Sequence, residues 1–289
     1  IQERTGIKRR HIASETETTS SLGLEAARRA IADAGIEPSE IDLIIVGTTT
    51  PDKVFPATAV TIQRQLGVRG CPAFDVQAVC SGFIFALDLA NRFIKMGDAK
   101  TAVVIGAETL SRITNWEDRG TAVLFGDGAG CIVLQASDEP GIISTHIHAD
   151  GEYEELLHVP SGVSVGYDKM QAGQAFIEMN GNAVFKRAVE TSDKIARETM
   201  SDLDGEIGDI DWLIPHQANM RIIIAAAKKL GMPMEKVIAT VDEHANTSSA
   251  SIPLALDQAV RDGRIVRGDT LMFAAFGAGF TWGSAVVKY

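Results

Sequence analysis

A chain of 289 residues with 45% hydrophobic content can bury a large core, as one big domain or as two intimately packed ones. Its net charge of −11 argues against nucleic acid as a general partner, and it holds no run of about 18 uncharged apolar residues that would span a membrane. Three cysteines form neither a disulfide framework nor a zinc pattern; with no secretory signal at the start, the expected location is cytoplasmic.

The chain opens at Ile1 on the polar stretch Gln2-Glu3-Arg4-Thr5-Gly6, an odd starting point that suggests residues upstream. Ser20 and Ser21 are candidate caps for a helix running through Leu24, Ala27, Ile31 and Ala34 to a C-terminal Gly35. Ile41 to Gly47 is a near-continuous apolar strand, the pattern of a sheet covered on both faces. A loop carrying Phe55 follows, then a helix from Ala57 to Leu66 that ends at Gly67. Ala73 to Val79 reads as a buried strand breaking at Cys80, with an apolar helix from Ser81 to Met96 stopped by Gly97. Thr101 to Ile105 is another buried strand, a polar segment ends in Asp118-Arg119-Gly120, and the Gly-rich run Phe125 to Gly130 leads into a strand, Cys131 to Gln135.

Beyond a junction near Ser137 to Gly141 the same order begins again. Glu40-Ile41-Asp42-Leu43-Ile44 is echoed by Asp209-Ile210-Asp211-Trp212-Leu213-Ile214, and Leu66-Gly67 by Leu230-Gly231. Asp75 through Cys80 to Asp88 parallels Asp242 through Asn246 to Asp257, and Phe125 to Gly130 parallels Phe276-Gly277-Ala278-Gly279. Four echoes in one order imply an internal duplication, residues 1–138 and 139–289, each half a mixed α/β layer. Cys80 and Asn246 are then expected at related positions at two helix N-termini near a pseudo-twofold axis.

A cysteine at a strand-to-helix junction faces unpaired N–H groups and the positive end of the helix dipole, which favour the thiolate, the nucleophilic form. His216 follows the end of a buried strand, where open α/β sheets place their ligands. Alone, each of Cys80, His216 and Asn246 is of a kind that is more often a core thiol, a loop histidine or a helix cap. Together they suit acyl chemistry in which a neutral histidine and an asparagine donate hydrogen bonds to a thioester carbonyl.

Four stretches, Val79-Cys80-Ser81-Gly82-Phe83, Pro215-His216-Gln217-Ala218-Asn219, Asn246 to Pro253 and Phe276 to Gly283, resemble the β-ketoacyl-acyl-carrier-protein synthase III family, and the likeness covers essentially the whole chain. The resemblance implies the thiolase-like fold, two duplicated mixed α/β halves in a layered α-β-α-β-α arrangement. It implies that Cys80 takes a short acyl group, acetyl above all, from acyl-coenzyme A, and that malonyl on an acyl carrier protein loses CO₂ and attacks it. His216 and Asn246 would stabilise the enolate, and the backbone N–H groups of Cys80 and Ala278 would form the oxyanion hole. Arg4 and Arg119 would clasp the coenzyme A nucleotide, Gly181 and Asn219 would line the pantetheine arm, and Phe55 would reach across a homodimer to limit the partner's acyl pocket. No metal or other cofactor is implied.

Arg221, Lys228 and Lys229, seven and eight residues apart on the helix after His216, share one face, and Lys186 joins them in a patch suited to the acidic carrier protein. Against the family the chain lacks about thirty N-terminal residues with the first strand, which would leave a sheet edge unpaired. Ala245 and Ala278 stand where glycines are common. A thiolase would need a second cysteine in the Gly-rich loop near Ala278, and an elongating synthase a second histidine in place of Asn246. A plant-type polyketide synthase has a longer chain. A papain-like hydrolase would share Cys, His and Asn without the duplication, and a non-catalytic scaffold would bind coenzyme A without acyl transfer.

Overall fold

The computed structural model describes residues 1–139, 141–203 and 209–289. In chain order the elements are α1 (Gln2–Thr5), α2 (Thr19–Ala34), β1 (Leu43–Gly47), α3 (Thr58–Leu66), β2 (Ala73–Val76), α4 (Gly82–Met96), β3 (Thr101–Thr109) and β4 (Asp127–Gln135). Then follow β5 (Ile142–Ala149), the short pair β6 (Leu157–His158) and β7 (Glu178–Met179) with α5 (Tyr167–Lys169) between them, and α6 (Gly181–Asp202). The chain closes with β8 (Trp212–Pro215), α7 (Met220–Lys229), α8 (Val241–His244), α9 (Ser251–Arg261), β9 (Thr270–Gly277) and β10 (Thr281–Lys288). The expected junction lies between β4 and β5; Pro140 within it is outside the described residues.

The strands make two larger sheets, ordered β2-β1-β3-β4 and β5-β10-β9-β8. In each, two strands run parallel (β1 with β3, β8 with β9) and a third joins antiparallel (β4 on β3, β10 on β9). Val237 bridges Leu213 in the second sheet in the parallel sense in which β2 pairs with β1 in the first. The duplication therefore extends to strand order and direction. One position differs: β10 carries β5 on its outer edge, while β4 has no strand there among the described residues.

Five layers result. Helices α4 and α9 lie between the sheets, α2 and α3 cover the outside of the first, and α6 and α7 cover the outside of the second. This explains why β1 reads as an uninterrupted apolar run: Leu43 and Ile45 pack inward against Phe83, Leu87 and Phe273, whereas Ile44 and Val46 pack outward against Leu24, Ile31 and Ile62. In the second sheet Ile214 joins the central cluster, and Leu213 packs outward with Ile195 and Ile223.

Helix boundaries follow local chemistry. Gly35, Gly67 and Gly97 end α2, α3 and α4 in the left-handed conformation, as expected. The cap of α2 differs from expectation: Thr18 is the N-cap, Ser21 completes a capping box by accepting the Thr18 N–H at 2.9 Å, and Ser20 donates its backbone N–H to Asp52 at 2.8 Å. The strand expected from Cys131 begins earlier, at Asp127, and glycine is needed within it because side chains at Gly128 and Gly130 would collide with Leu254 and Pro253 of α9.

The halves meet where backbones nearly touch. A Cβ on Gly106 would collide with the Ser249 carbonyl oxygen and lie 2.7 Å from its carbon. Overpacking at such a contact costs about 1–3 kcal/mol. Gly106→Ala is expected to lower the unfolding free energy by that amount, read as a lower urea midpoint with an unchanged m-value; an unaltered midpoint would mean that the halves are not in close contact there.

Candidate active site

Cys80 lies in a single 3₁₀ turn, Val79–Ser81, that leads directly into α4. Val79 takes φ 48, a conformation that costs a β-branched residue on the order of 1–3 kcal/mol and that turns the chain sharply ahead of the nucleophile. The second half repeats this device: Ser248 takes φ 51 at the head of the turn Ser248–Ala250, which leads into α9. The register of turn and helix makes Ser249 the counterpart of Cys80, a correction to the expected pairing of Cys80 with Asn246, which sits three residues earlier. The misreading arose because an echo aligned on Asp75 and Asp242 shifts where α8 intervenes before the turn.

The Cys80 side chain is buried, and burial pushes its thiol up to about 12, a Ser248 hydrogen bond pulling down and the Glu108 carboxylate pushing up. Desolvation thus outweighs the helix terminus, and the resting group is a thiol rather than the expected thiolate. Gly277 abuts it from the other half: a Cβ there would lie 2.8 Å from the Cys80 nitrogen. Thr281 fixes this loop by donating its hydroxyl to the Ala78 carbonyl at 2.9 Å, and Ala278 follows Gly277 in it.

His216 follows β8 directly and is 2% exposed. Its Nδ1 lies 2.7 Å from Ser251 Oγ, which accepts the Gln217 N–H at 3.4 Å. The hydroxyl proton is then free for Nδ1, leaving Nε2 as the N–H donor. Burial drives the imidazole pKa down to about 3, so it is neutral at physiological pH. Gln217 locks the loop, donating to the Pro215 and Ile238 carbonyls at 2.6 and 3.1 Å and accepting from the N–H groups of Thr240 and Val241 at 2.8 and 3.1 Å.

Asn246 is held by first-half backbone: its N–H donates to Leu124 at 2.9 Å, and its carbonyl accepts from Gly126 at 2.9 Å. Its side-chain oxygen accepts the Ser248 N–H at 2.9 Å, which leaves the amide NH₂ to donate elsewhere. Cys80, His216 and Asn246 are thus all buried: Cys80 and Asn246 sit at contacts between the halves, and His216 packs edge-on against Phe276, whose neighbour Gly277 abuts Cys80, so the three offer a sulfur nucleophile and two neutral donors.

Two participants escaped the sequence. Glu108, fully buried at the end of β3, accepts from the Thr49 N–H at 3.0 Å, Thr50 Oγ1 at 2.7 Å and Ser248 Oγ at 3.1 Å. Burial raises its pKa, and these donors oppose the rise. The signal was a lone acid after the apolar run Ala102 to Ala107, but its partners come from two distant loops. Ser248 lies inside a recognised motif, yet its bond to Glu108 depends on the turn geometry.

The remaining candidates lie toward the surface. Arg4 on α1, Arg119 in the turn Asp118–Thr121 and Gly181 at the head of α6 are exposed. Asn219 caps α7 by accepting the Ile222 N–H at 3.0 Å, so only its NH₂ is free for a ligand. Phe55 is 82% exposed in the loop after β1. Lys186, Arg221, Lys228 and Lys229 are exposed on the paired helices α6 and α7; Arg221 covers the Phe185 ring at 5.3 Å, and Lys229 lies 3.8 Å from Asp193. Lys229 is therefore partly neutralised, which weakens the expected patch at that residue.

The buried histidine has a consequence for stability. Unfolded, it titrates near 6.5; folded, it titrates near 3, so between these values the unfolded chain holds more protons and stability falls as pH drops. From pH 6.5 to 5 this amounts to about 2 kcal/mol. Urea unfolding at both pH values should show that extra loss in the parent and not in His216→Asn; equal losses would contradict the burial of a neutral imidazole.

Comparison with known proteins places this geometry. Residues 74–151 match the profile of 3-oxoacyl-[acyl-carrier-protein (ACP)] synthase III, and residues 200–289 match that of its C-terminal part. A β-ketoacyl-[acyl-carrier-protein] synthase III of Thioalkalivibrio sulfidiphilus is 62% identical over the whole chain, which covers 90% of that protein, and one of Xanthomonas campestris is 56% identical with 89% covered. The solved 3-oxoacyl-[acyl-carrier-protein] synthase III of Aquifex aeolicus superposes with a TM-score of 0.93 at 45% identity, covering 100% of this chain and 90% of the other. A synthase III structure from Pseudomonas aeruginosa gives a TM-score of 0.92 at 36% identity, covering 100% of this chain and 88% of that one. The likeness runs through both halves and the loops that carry Cys80, His216 and Asn246, and the chain belongs to the β-ketoacyl-[acyl-carrier-protein] synthase III family.

Proposed function

We propose that this acyltransferase, an initiating condensing enzyme of fatty acid synthesis, works through an acyl-Cys80 intermediate and joins a short acyl group from acyl-coenzyme A to malonyl-acyl carrier protein. The observation that supports this reading is a buried thiol at the contact between the halves together with two buried, neutral hydrogen-bond donors, His216 and Asn246, the latter also held at that contact. In the first step the Cys80 sulfur bonds to the acyl carbonyl carbon, the thioester bond to coenzyme A breaks, and the leaving thiolate takes the proton that Cys80 gives up. The backbone N–H groups of Cys80 and Ala278 would hold the transient oxyanion, a reading supported by Gly277, next to Ala278, lying against the Cys80 nitrogen.

In the second step the malonyl carboxylate leaves as CO₂ and its electron pair forms an enolate. Its oxygen would receive hydrogen bonds from His216 Nε2 and the Asn246 amide. The enolate carbon attacks the acyl-enzyme carbonyl, and the Cys80 sulfur departs with the β-ketoacyl thioester formed on the carrier. Neutral donors suit this step because a protonated imidazole would transfer its proton to the carbanion and quench it. The thioester and the lost CO₂ supply the driving force, so no resident cofactor or metal is assigned to the reaction.

The substrate would enter past Arg4 and Arg119, whose guanidinium groups suit the coenzyme A phosphates, and along Gly181 and Asn219. The carrier protein, acidic in this family, would dock on Lys186, Arg221 and Lys228 with a lesser part for Lys229, already close to Asp193. Phe55 and Val54, 82% and 60% exposed, would be covered in a homodimer. No helix among the described residues is long and apolar enough to cross a membrane, and we assign the enzyme to the cytoplasm.

Intact mass after mixing with acetyl-coenzyme A tests the reading. The parent should gain one acetyl group and lose it to malonyl-acyl carrier protein with CO₂ release, while Cys80→Ser should gain none. An adduct discharged by water alone would favour a hydrolase, and sedimentation of the same sample checks the dimer.

A further inference from the structure

His146 and His148 alternate with Ile147 on β5, so Ile147 packs into the central core while both imidazoles face away from it. Across from them runs α6, where Glu198 and Asp202, four residues apart, share a face. His146 Nε2 lies 2.6 Å from Asp202 Oδ2, and His148 Nε2 lies 2.8 Å from Glu198 Oε1. One ligand atom each from His146, His148 and Glu198 lie within 4.8 Å of one another. We infer that His146, His148, Glu198 and Asp202 form a binding site for a divalent transition-metal ion of the zinc class, a clip between the outer edge strand β5 and α6.

Donor chemistry, charge and placement support this independently of the condensation reaction. Imidazole nitrogens suit zinc, nickel, copper or cobalt, whereas magnesium and calcium take oxygen ligands. Two carboxylates balance a dication, and two neutral imidazoles complete four donors without excess charge. A tetrahedral zinc site with bonds of about 2.0–2.2 Å sets its ligands about 3.3 Å apart, so small side-chain rotations suffice to close the trio of His146, His148 and Glu198, and Asp202, in contact with His146, would swing in as the fourth ligand.

The ligands are also held and reachable. The Trp282 indole stacks on His148 with centroids 5.2 Å apart and planes at 22°, which fixes one imidazole. Thr199, between the two acids, donates to Ser284 Oγ at 3.4 Å and seats α6 against β10. Side-chain exposures of 25% to 35% leave a path from solvent. Lys194, one turn before Glu198, has its ammonium over the Trp282 ring at 5.0 Å. A metal here would brace an edge strand, and it takes no part in the chemistry assigned to Cys80.

Cobalt(II) titration of the chelator-treated enzyme tests the site. One equivalent should give the intense visible absorption of four-coordinate cobalt, without the near-ultraviolet band of a sulfur ligand. Zinc at a hundredfold excess over its dissociation constant should raise the melting temperature by about 5 °C, and magnesium should leave it unmoved. Asp202→Asn should weaken cobalt binding at least tenfold, and His148→Gln with Glu198→Gln should abolish both effects, far-UV circular dichroism confirming that each variant folds. Equal cobalt uptake by parent and variants, a sulfur band, or a zinc-independent melting temperature would overturn the proposal.

Discussion

The carboxylate of Glu108 marks the place where the duplicated halves are held together. It is fully buried, and its donors come from the Thr48–Thr50 loop of the first half and from Ser248 of the second. Ser249, the counterpart of Cys80, adds a bond from its hydroxyl to the Gly47 carbonyl at 2.7 Å. A buried carboxylate is tolerated only when such donors surround it, and the donors in turn lose their partners if it is removed. The requirement fixes the turn at Ser248, hence the Asn246 side chain that accepts its N–H, and through Ser248 the environment of Cys80.

The same burial acts oppositely on the two titratable members of the site. It raises the cysteine to about 12 and lowers the histidine to about 3, and in both cases it favours the uncharged form. A resting site of neutral groups is suited to a reaction whose charges, an oxyanion and an enolate, develop only during the chemistry and meet donors already in place. Stability is given up for this arrangement: Val79 and Ser248 hold left-handed backbone, and His216 opposes folding in acid.

Much of the architecture was legible because it rests on local pattern. Glycines at 35, 67 and 97 end helices, apolar runs mark strands buried on both faces, and four ordered echoes reveal the duplication. What failed depends on tertiary approach. The glycines at 128 and 130 fall outside the expected strand because nothing local says that α9 will press on them. Glu108 is silent because its donors come from remote loops, and the expected thiolate at Cys80 neglected how deeply the strand-to-helix turn would be buried. The two histidines of β5 passed unnoticed because a search for metal sites that starts from cysteine spacing does not reach carboxylates on a later helix.

The proposed mechanism divides the labour, with acyl transfer resting on Cys80 and decarboxylation on His216 and Asn246. Release of labelled CO₂ from malonyl-acyl carrier protein without any acyl donor, compared across Cys80→Ala, His216→Ala and Asn246→Ala, separates the two most directly. Decarboxylation should persist in the cysteine variant and fall by about a hundredfold or more in each of the others, the cost of losing an oxyanion donor. Loss of CO₂ release in Cys80→Ala with full release in His216→Ala would contradict it.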